Sequence, residues 1–274
     1  MELEEELKGR NEFWDSVRGA LMLIVVFGHA LQRCNGMDPN DPLQLVIRTF
    51  QMKGLMFVSG YVFAYSRADD LGKYMLSKVR RLLVPYVLWV IPVWLALALA
   101  HTFPLTPQSL LKELVQSNFW FLRILFLIFV AFVPYVLANK MRGGVVAGLV
   151  GIPVSLGIAY GLSEVDGWNA TFHYAQYFSL GLVLHLIYRN EIFASLGNKW
   201  LVWVGRRSLA IYAIHWNLLF AYFPYRRLHL DWPTNCDINL YIRAVMLFLL
   251  WTAITVSIIF LHEKLIESAF QRGR

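Results

Sequence analysis

The sequence predicts an all-α fold, a polytopic transmembrane helical bundle of about eight spans (range eight to ten) with both termini cytoplasmic. The first observation is composition: 58% of the 274 residues are hydrophobic and only 16% are charged. A soluble globular chain has roughly 45–50% apolar and about 25% charged residues. Mean hydropathy is +0.50. The second is arrangement, because apolar stretches recur near Val17–Leu31, Leu43–Tyr65, Leu82–Ala100, Phe119–Leu137, Val145–Tyr160, Phe172–Tyr188, Leu201–Phe223 and Leu240–Leu261. The third is charge asymmetry. With the N-terminus inside, 16 Lys and Arg residues fall in cytoplasmic segments and 4 on the other side. That bias fits the positive-inside rule and an even number of spans. It also accounts for the net charge of +7 without nucleic acid as a partner.

Taken in order, Met1–Asn11 is acid-rich and unlike a secretory signal. The first span carries Arg18 and His29, and the second carries Arg48 and Lys53, so neither reads as an ordinary lipid-facing helix. The basic run Ser77–Arg81 anchors the cytoplasmic start of the third span. Pro104–Asn118 reads as a short interfacial helix, with Leu110, Leu111 and Leu114 on one face. Cys34 and Cys236 both fall outside, where a disulfide is allowed, although two unrelated residues are the plainer reading. No fixed-period repeat or low-complexity linker divides the chain, so 1–274 reads as a single integral-membrane domain. The expected location is a bacterial inner membrane, as a multi-pass protein.

Ionisable groups inside a span cost at least about 2.5–3.5 kcal/mol each on insertion scales, which makes them functional candidates. Arg18 and His29 are eleven residues apart, so they share a helix face about 16 Å apart along the axis. Asp15 lies one turn before Arg18 on that side. Lys78, Arg80 and Arg81 are either a plain membrane anchor or a docking site for a phosphorylated cofactor. Ser208, Tyr212 and His215 align at i, i+4 and i+7; a satisfied structural histidine is the bland alternative there.

These stretches resemble acyltransferase family 3, the membrane-bound acyltransferases. The opening helix has Asp15, Arg18, Gly19, Val25, Val26, Gly28 and His29 in the family's order. Phe50–Phe63 resembles the second-span motif ending in Ser59-Gly60, and Lys78–Tyr86 resembles the basic element followed by proline. Trp120–Leu127 and Gly205–His215 match the later motifs, and the nearest branch resembles fucose 4-O-acetylase-like sugar acetyltransferases. Lys78 replaces an arginine of the family pattern, and Gln51 and Lys53 stand where His and Pro are usual.

The resemblance implies an enzyme, an O-acetyltransferase moving an acetyl group from acetyl-CoA to a carbohydrate hydroxyl, with the acyl-CoA as co-substrate and no metal. It implies His29, Arg18 and Asp15 as catalytic residues. It further implies Arg18, Lys78, Arg80, Arg81 and Ser59 at the CoA site, and Trp120, Tyr212 and His215 at the acceptor. The lipid bilayer is the surrounding partner, and self-association as a homo-oligomer is left open. From the residues alone, a sugar hydroxyl needs a positioned base, and histidine is the commonest one. A transporter or flippase is the main alternative class, because intramembrane Arg, Lys and His are equally expected there. A catalytically idle scaffold subunit is the third.

Overall fold

The computed structural model describes residues 12–34, 38, 40–64, 70–99, 104–116, 119–142, 144–188, 197–215 and 239–272. Met1–Asn11, Cys236 and the end of the seventh apolar stretch lie outside the described residues. Among those described, the protein is helical and contains no strand. The helices are α1 (Glu12–Cys34), α2 (Pro42–Phe63), α3 (Leu71–Lys78), α4 (Val84–Leu99), α5 (Pro107–Gln116), α6 (Trp120–Ala131) and α7 (Val133–Arg142). They continue with α8 (Gly144–Val146), α9 (Ile152–Ser163), α10 (Ala170–Ile187), α11 (Lys199–Arg206), α12 (208–215) and α13 (Leu240–Arg272). Every apolar stretch of the sequence is mainly helical over its described part, with turns at Phe132 and Arg207 breaking two of them. Among the described residues, four segments are long and apolar enough to cross a membrane: Glu12–Cys34, Trp120–Met141, Gly144–Ser163 and Leu240–Lys264. The chain clusters into two compact units, Met1–Met52 with Ile192–Arg274, and Lys53–Glu191.

In the first unit, α1 packs on α11 because both carry glycine at the crossing. A Cβ at Gly19 would fall on the Leu201 carbonyl, and one at Gly205 on the Asp15 carbonyl. Small residues at such a crossing let two backbones approach where hydrophobic driving force is absent. The entry to α11 is fixed by Asn198, whose Oδ1 accepts from the N–H groups of Trp200 and Leu201 at 3.0 and 3.2 Å. The Asn198 N–H donates to Ser16 Oγ at 3.1 Å, tying that cap to α1. Helix α2 starts on Asp41-Pro42, an N-cap acid followed by proline at the first helical position. The Asp41 carboxylate accepts from Gln44 N–H at 2.7 Å and from Tyr241 Oη on α13 at 3.3 Å. Further along α13, Glu263 pairs with Arg207 at 2.7 Å.

The second unit holds two π-helical turns, Val79–Leu83 between α3 and α4 and Ala147–Gly151 between α8 and α9. Each lies two residues before a proline, Pro85 and Pro153. Proline has no N–H and clashes with the carbonyl four residues back. Widening that turn relieves the clash, and single π turns of this kind recur at functional sites. Its core is an aromatic cluster of Phe63, Phe129, Phe132, Tyr135 and Phe178. Gly60 on α2 and Gly181 on α10 each abut the other helix's backbone, at Phe178 and Phe57.

Candidate active site

In the first unit, α1 places Asp15, Arg18 and His29 on one continuous helix. Asp15 is buried at 3% exposure, and its closest cation is Arg206 on α11. Arg206 Nε donates to Asp15 Oδ2 at 3.3 Å, and its guanidinium also reaches Glu12 at 3.8 Å. Arg18 lies at 4.0 Å from Asp15, the outer edge of an ion pair. In the sequence Arg206 stands inside the Gly205–His215 motif, with nothing to link it to Asp15. A contact spanning 191 residues leaves no local signal.

His29 and His215 come together. Their rings stack with centroids 5.5 Å apart and planes 26° from parallel. Tyr212 meets His215 edge to face at 5.7 Å. His215 is fully buried, and its Nδ1–H donates to the Ile211 carbonyl at 2.8 Å. A carbonyl only accepts, so this contact fixes the tautomer and puts the basic lone pair on Nε2. His29 Nδ1–H donates to Gln32 Oε1 at 2.9 Å, with the same consequence. Beside it, a Cβ at Gly28 would come within 2.9 Å of Gln51 Oε1, so α1 and α2 approach closely next to the imidazole. Gln32 leaves no signal in the sequence because an amide carries no charge, whereas Gln51 already stood out as a departure from the family pattern.

In the second unit the basic element forms an open concavity of about 450 Å³ lined by Lys73, Leu76, Ser77, Arg80 and Arg81. Asp70 caps its helix, accepting from Gly72 and Lys73 N–H at 2.7 and 3.2 Å. The π turn carries Arg80 and Arg81 into that lining, both exposed. Lys78 is not part of it. Its ammonium lies 4.8 Å from the Tyr74 ring centroid and 4.7 Å from that of Phe129. Burial, then the neighbouring Arg81 charge, lowers its pKa to about 8. Lys73 takes its place, at the spacing Lys73-Ser77-Arg80-Arg81 that a helix-face reading could have found.

Ser59 Oγ donates to the Leu55 carbonyl of its own helix at 2.7 Å. Trp120 stacks on Tyr174 at 5.1 Å, beside His173 and Tyr177, and Lys53 reaches within 5.5 Å of the Tyr177 ring. This aromatic platform belongs to the second unit, whereas Tyr212 and His215 belong to the first.

The family model described as an acyltransferase domain, that of acyltransferase family 3, matches residues 11–196. The chain belongs to acyltransferase family 3. As a member of that family with four apolar helices of spanning length, it is a membrane acyltransferase. The matched region contains His29, Arg18, Asp15, the basic element and Trp120. Tyr212, His215 and α13 lie beyond it. No curated protein and no solved structure matches the chain.

Proposed function

We infer that this acyltransferase family 3 protein is an O-acetyltransferase that moves acetyl from acetyl-CoA to a hydroxyl of a cell-surface carbohydrate. The observation that carries the reading is the stacked His29–His215 pair with Nε2 as the basic atom of each ring. A carbohydrate hydroxyl is a poor nucleophile until a base takes its proton, and a neutral imidazole in a water-poor bundle suits that task. His29 is the base, and His215 with Tyr212 contacts the acceptor.

Arg18, on the same helix as His29, is a further contact for the donor. The rise between them is about 16 Å along α1, a length the extended pantetheine arm of CoA covers. Lys73, Arg80 and Arg81 offer the kind of cationic concavity that receives phosphates. Trp120 on Tyr174 offers the flat aromatic face on which a sugar ring packs. The topology that goes with this function has eight spans and both termini cytoplasmic, in one integral-membrane domain of a bacterial inner membrane. The fucose 4-O-acetylase-like branch is the nearest fit among the motifs.

The experiment is acyl transfer by the purified protein, read as release of CoA thiol and as a mass gain on the glycan. His29→Gln should abolish transfer while CoA binding and folding persist. His215→Gln should raise the acceptor KM more than it lowers kcat. Near-normal turnover in His29→Gln with loss in His215→Gln exchanges the two roles. Uptake of a solute without CoA consumption refutes the enzyme reading in favour of transport.

A further inference from the structure

Lys53 stands midway along α2, between Met52 and Gly54. Its ammonium lies over the Tyr177 ring, 5.5 Å from the centroid, in a cation–π contact. Three helices build this part of the second unit: α2, α6 with Trp120, and α10 with Tyr174 and Tyr177. None of the three contains an Asp or a Glu. Their charged side chains are Arg48, Lys53 and Arg123, all cations. Arg123 donates to the carbonyls of Leu114 and Gly167, which are neutral, so no carboxylate on these helices offsets the charge.

The rings beside Lys53 form a continuous strip. Tyr174 and Tyr177 are three residues apart on α10, so one helix face carries both, about 4.5 Å apart along the axis. Trp120 stacks on Tyr174 at 5.1 Å, and His173 meets Tyr174 and Tyr177 edge to face at 5.1 and 5.4 Å. Lys53, Trp120, Tyr174 and Tyr177 are half-buried and His173 is exposed, so the strip is open to a ligand along part of its length.

A cation midway along an apolar helix is costly to keep without a counter-charge, and a ring face offsets only part of that cost. Sugar rings pack on aromatic faces. A sugar laid on the Trp120–Tyr174 end brings its exocyclic group within reach of the Tyr177–Lys53 end. We propose that Lys53 is the specificity determinant of an acceptor subsite for an acidic sugar, in which the rings hold the pyranose and the ammonium donates to its carboxylate. One ammonium matches one negative charge, which suits a uronate better than a phosphate dianion. Proline is usual at this position of the family pattern, so the cation belongs to this chain rather than to the shared chemistry. The proposal rests on the acetyl-transfer reading above and deepens it by naming the acceptor class.

The test uses the full-length protein, acetyl-CoA and lipid-free fragments of the producing cell's surface polysaccharide, stripped of acetyl groups. The fragments are supplied in two forms, with carboxylates intact and with carboxylates chemically reduced to primary alcohols. Wild type should favour the intact form at least about tenfold in kcat/KM, the value of one charge-assisted hydrogen bond, with the difference in KM. Lys53→Met removes the charge at similar length and should bring the two forms within about twofold of each other, leaving use of the reduced form unchanged. Lys53→Arg should keep the preference. Trp120→Ala should raise KM for both forms alike. The preference is a ratio read on one preparation, so partial loss of folded protein cancels from it. The fragments carry no lipid, so a preference among them comes from the sugar's own charge and not from a carrier phosphate. Equal use of the two forms by wild type, or an undiminished preference in Lys53→Met, overturns this assignment and leaves acetyl transfer standing. A wild type that releases no CoA thiol with either form refutes the acetyl-transfer reading itself.

Discussion

Asp15 couples to Arg206 more strongly than to Arg18, and a pair of double-mutant cycles measures the difference. The Arg206 contact is a hydrogen-bonded ion pair at 3.3 Å on a carboxylate whose side chain is 4% exposed. Charge-assisted hydrogen bonds contribute about 1.5–3 kcal/mol. The Arg206 side chain is 28% exposed, so water screens it and the coupling belongs near the low end, about 1.5 kcal/mol. Arg18 reaches the same carboxylate only at 4.0 Å, three residues along the helix. Pairs of that geometry contribute about 0.3–0.5 kcal/mol. Asp15→Asn should cost about 2 kcal/mol, less than the 3–5 kcal/mol typical of a fully buried pair, because Glu12 still faces Arg206 at 3.8 Å. The assay is equilibrium unfolding in detergent micelles, comparing Asp15→Asn with Arg206→Gln and with Arg18→Gln, singly and combined. An Asp15–Arg18 coupling equal to or larger than the Asp15–Arg206 coupling refutes this account of the α1–α11 junction.

Lys78 gives a pH test. Its pKa is lowered from 10.5 to about 8, mainly by burial. Between those values the unfolded chain binds more protons than the folded one, so stability rises with pH over that window. Unfolding midpoints at pH 7.5 and pH 10 should show a gain in wild type that Lys78→Met loses; an equal gain in the variant refutes the assignment. Gly205→Ala should destabilise by about 3 kcal/mol, since its Cβ would fall on the Asp15 carbonyl and the helices must part. Gly157→Ala is the control: its Cβ meets nothing within 4 Å, so the helix should gain about 0.5–1 kcal/mol. Matching outcomes for the two glycines, read from the same unfolding curves, would refute the close crossing.

Helix and membrane character were legible because they are periodic and compositional. Every apolar stretch is mainly helical over its described length, and Asp15, Arg18 and His29 lie on one helix as their spacing requires. Juxtaposition across the chain was not legible. Nothing in a one-dimensional pattern brings Arg206 to Asp15 or His215 to His29, and both contacts depend on where α1 meets α11 and α12. Lys78 illustrates a subtler limit. Its place in a basic run predicts a solvated cation, but the helix turns that side chain onto Tyr74 and Phe129, and Lys73 joins the arginines instead. The π turn that exposes Arg80 and Arg81 was foreshadowed only by Pro85.

The distribution of charge along α1 bears on which groups can stabilise a transition state. Arg18 is about 16 Å from His29 along the axis, too far for its guanidinium to act on atoms that the imidazole touches. A guanidinium placed nearer would carry the full desolvation cost of a buried ion through every stage of the cycle. Hydroxyls and imidazoles are cheaper to bury, and in a low-dielectric bundle their hydrogen bonds to a developing anion are stronger than in water. The arrangement here follows that economy. Charges pair near the N-terminal end of α1, at Asp15 with Arg206, whereas the His29 and His215 imidazoles are the polar groups that stack farther along the helix. A group that binds the carbonyl oxygen more tightly once it is charged separates the ground state from the transition state. That difference between ground and transition state is what accelerates the step.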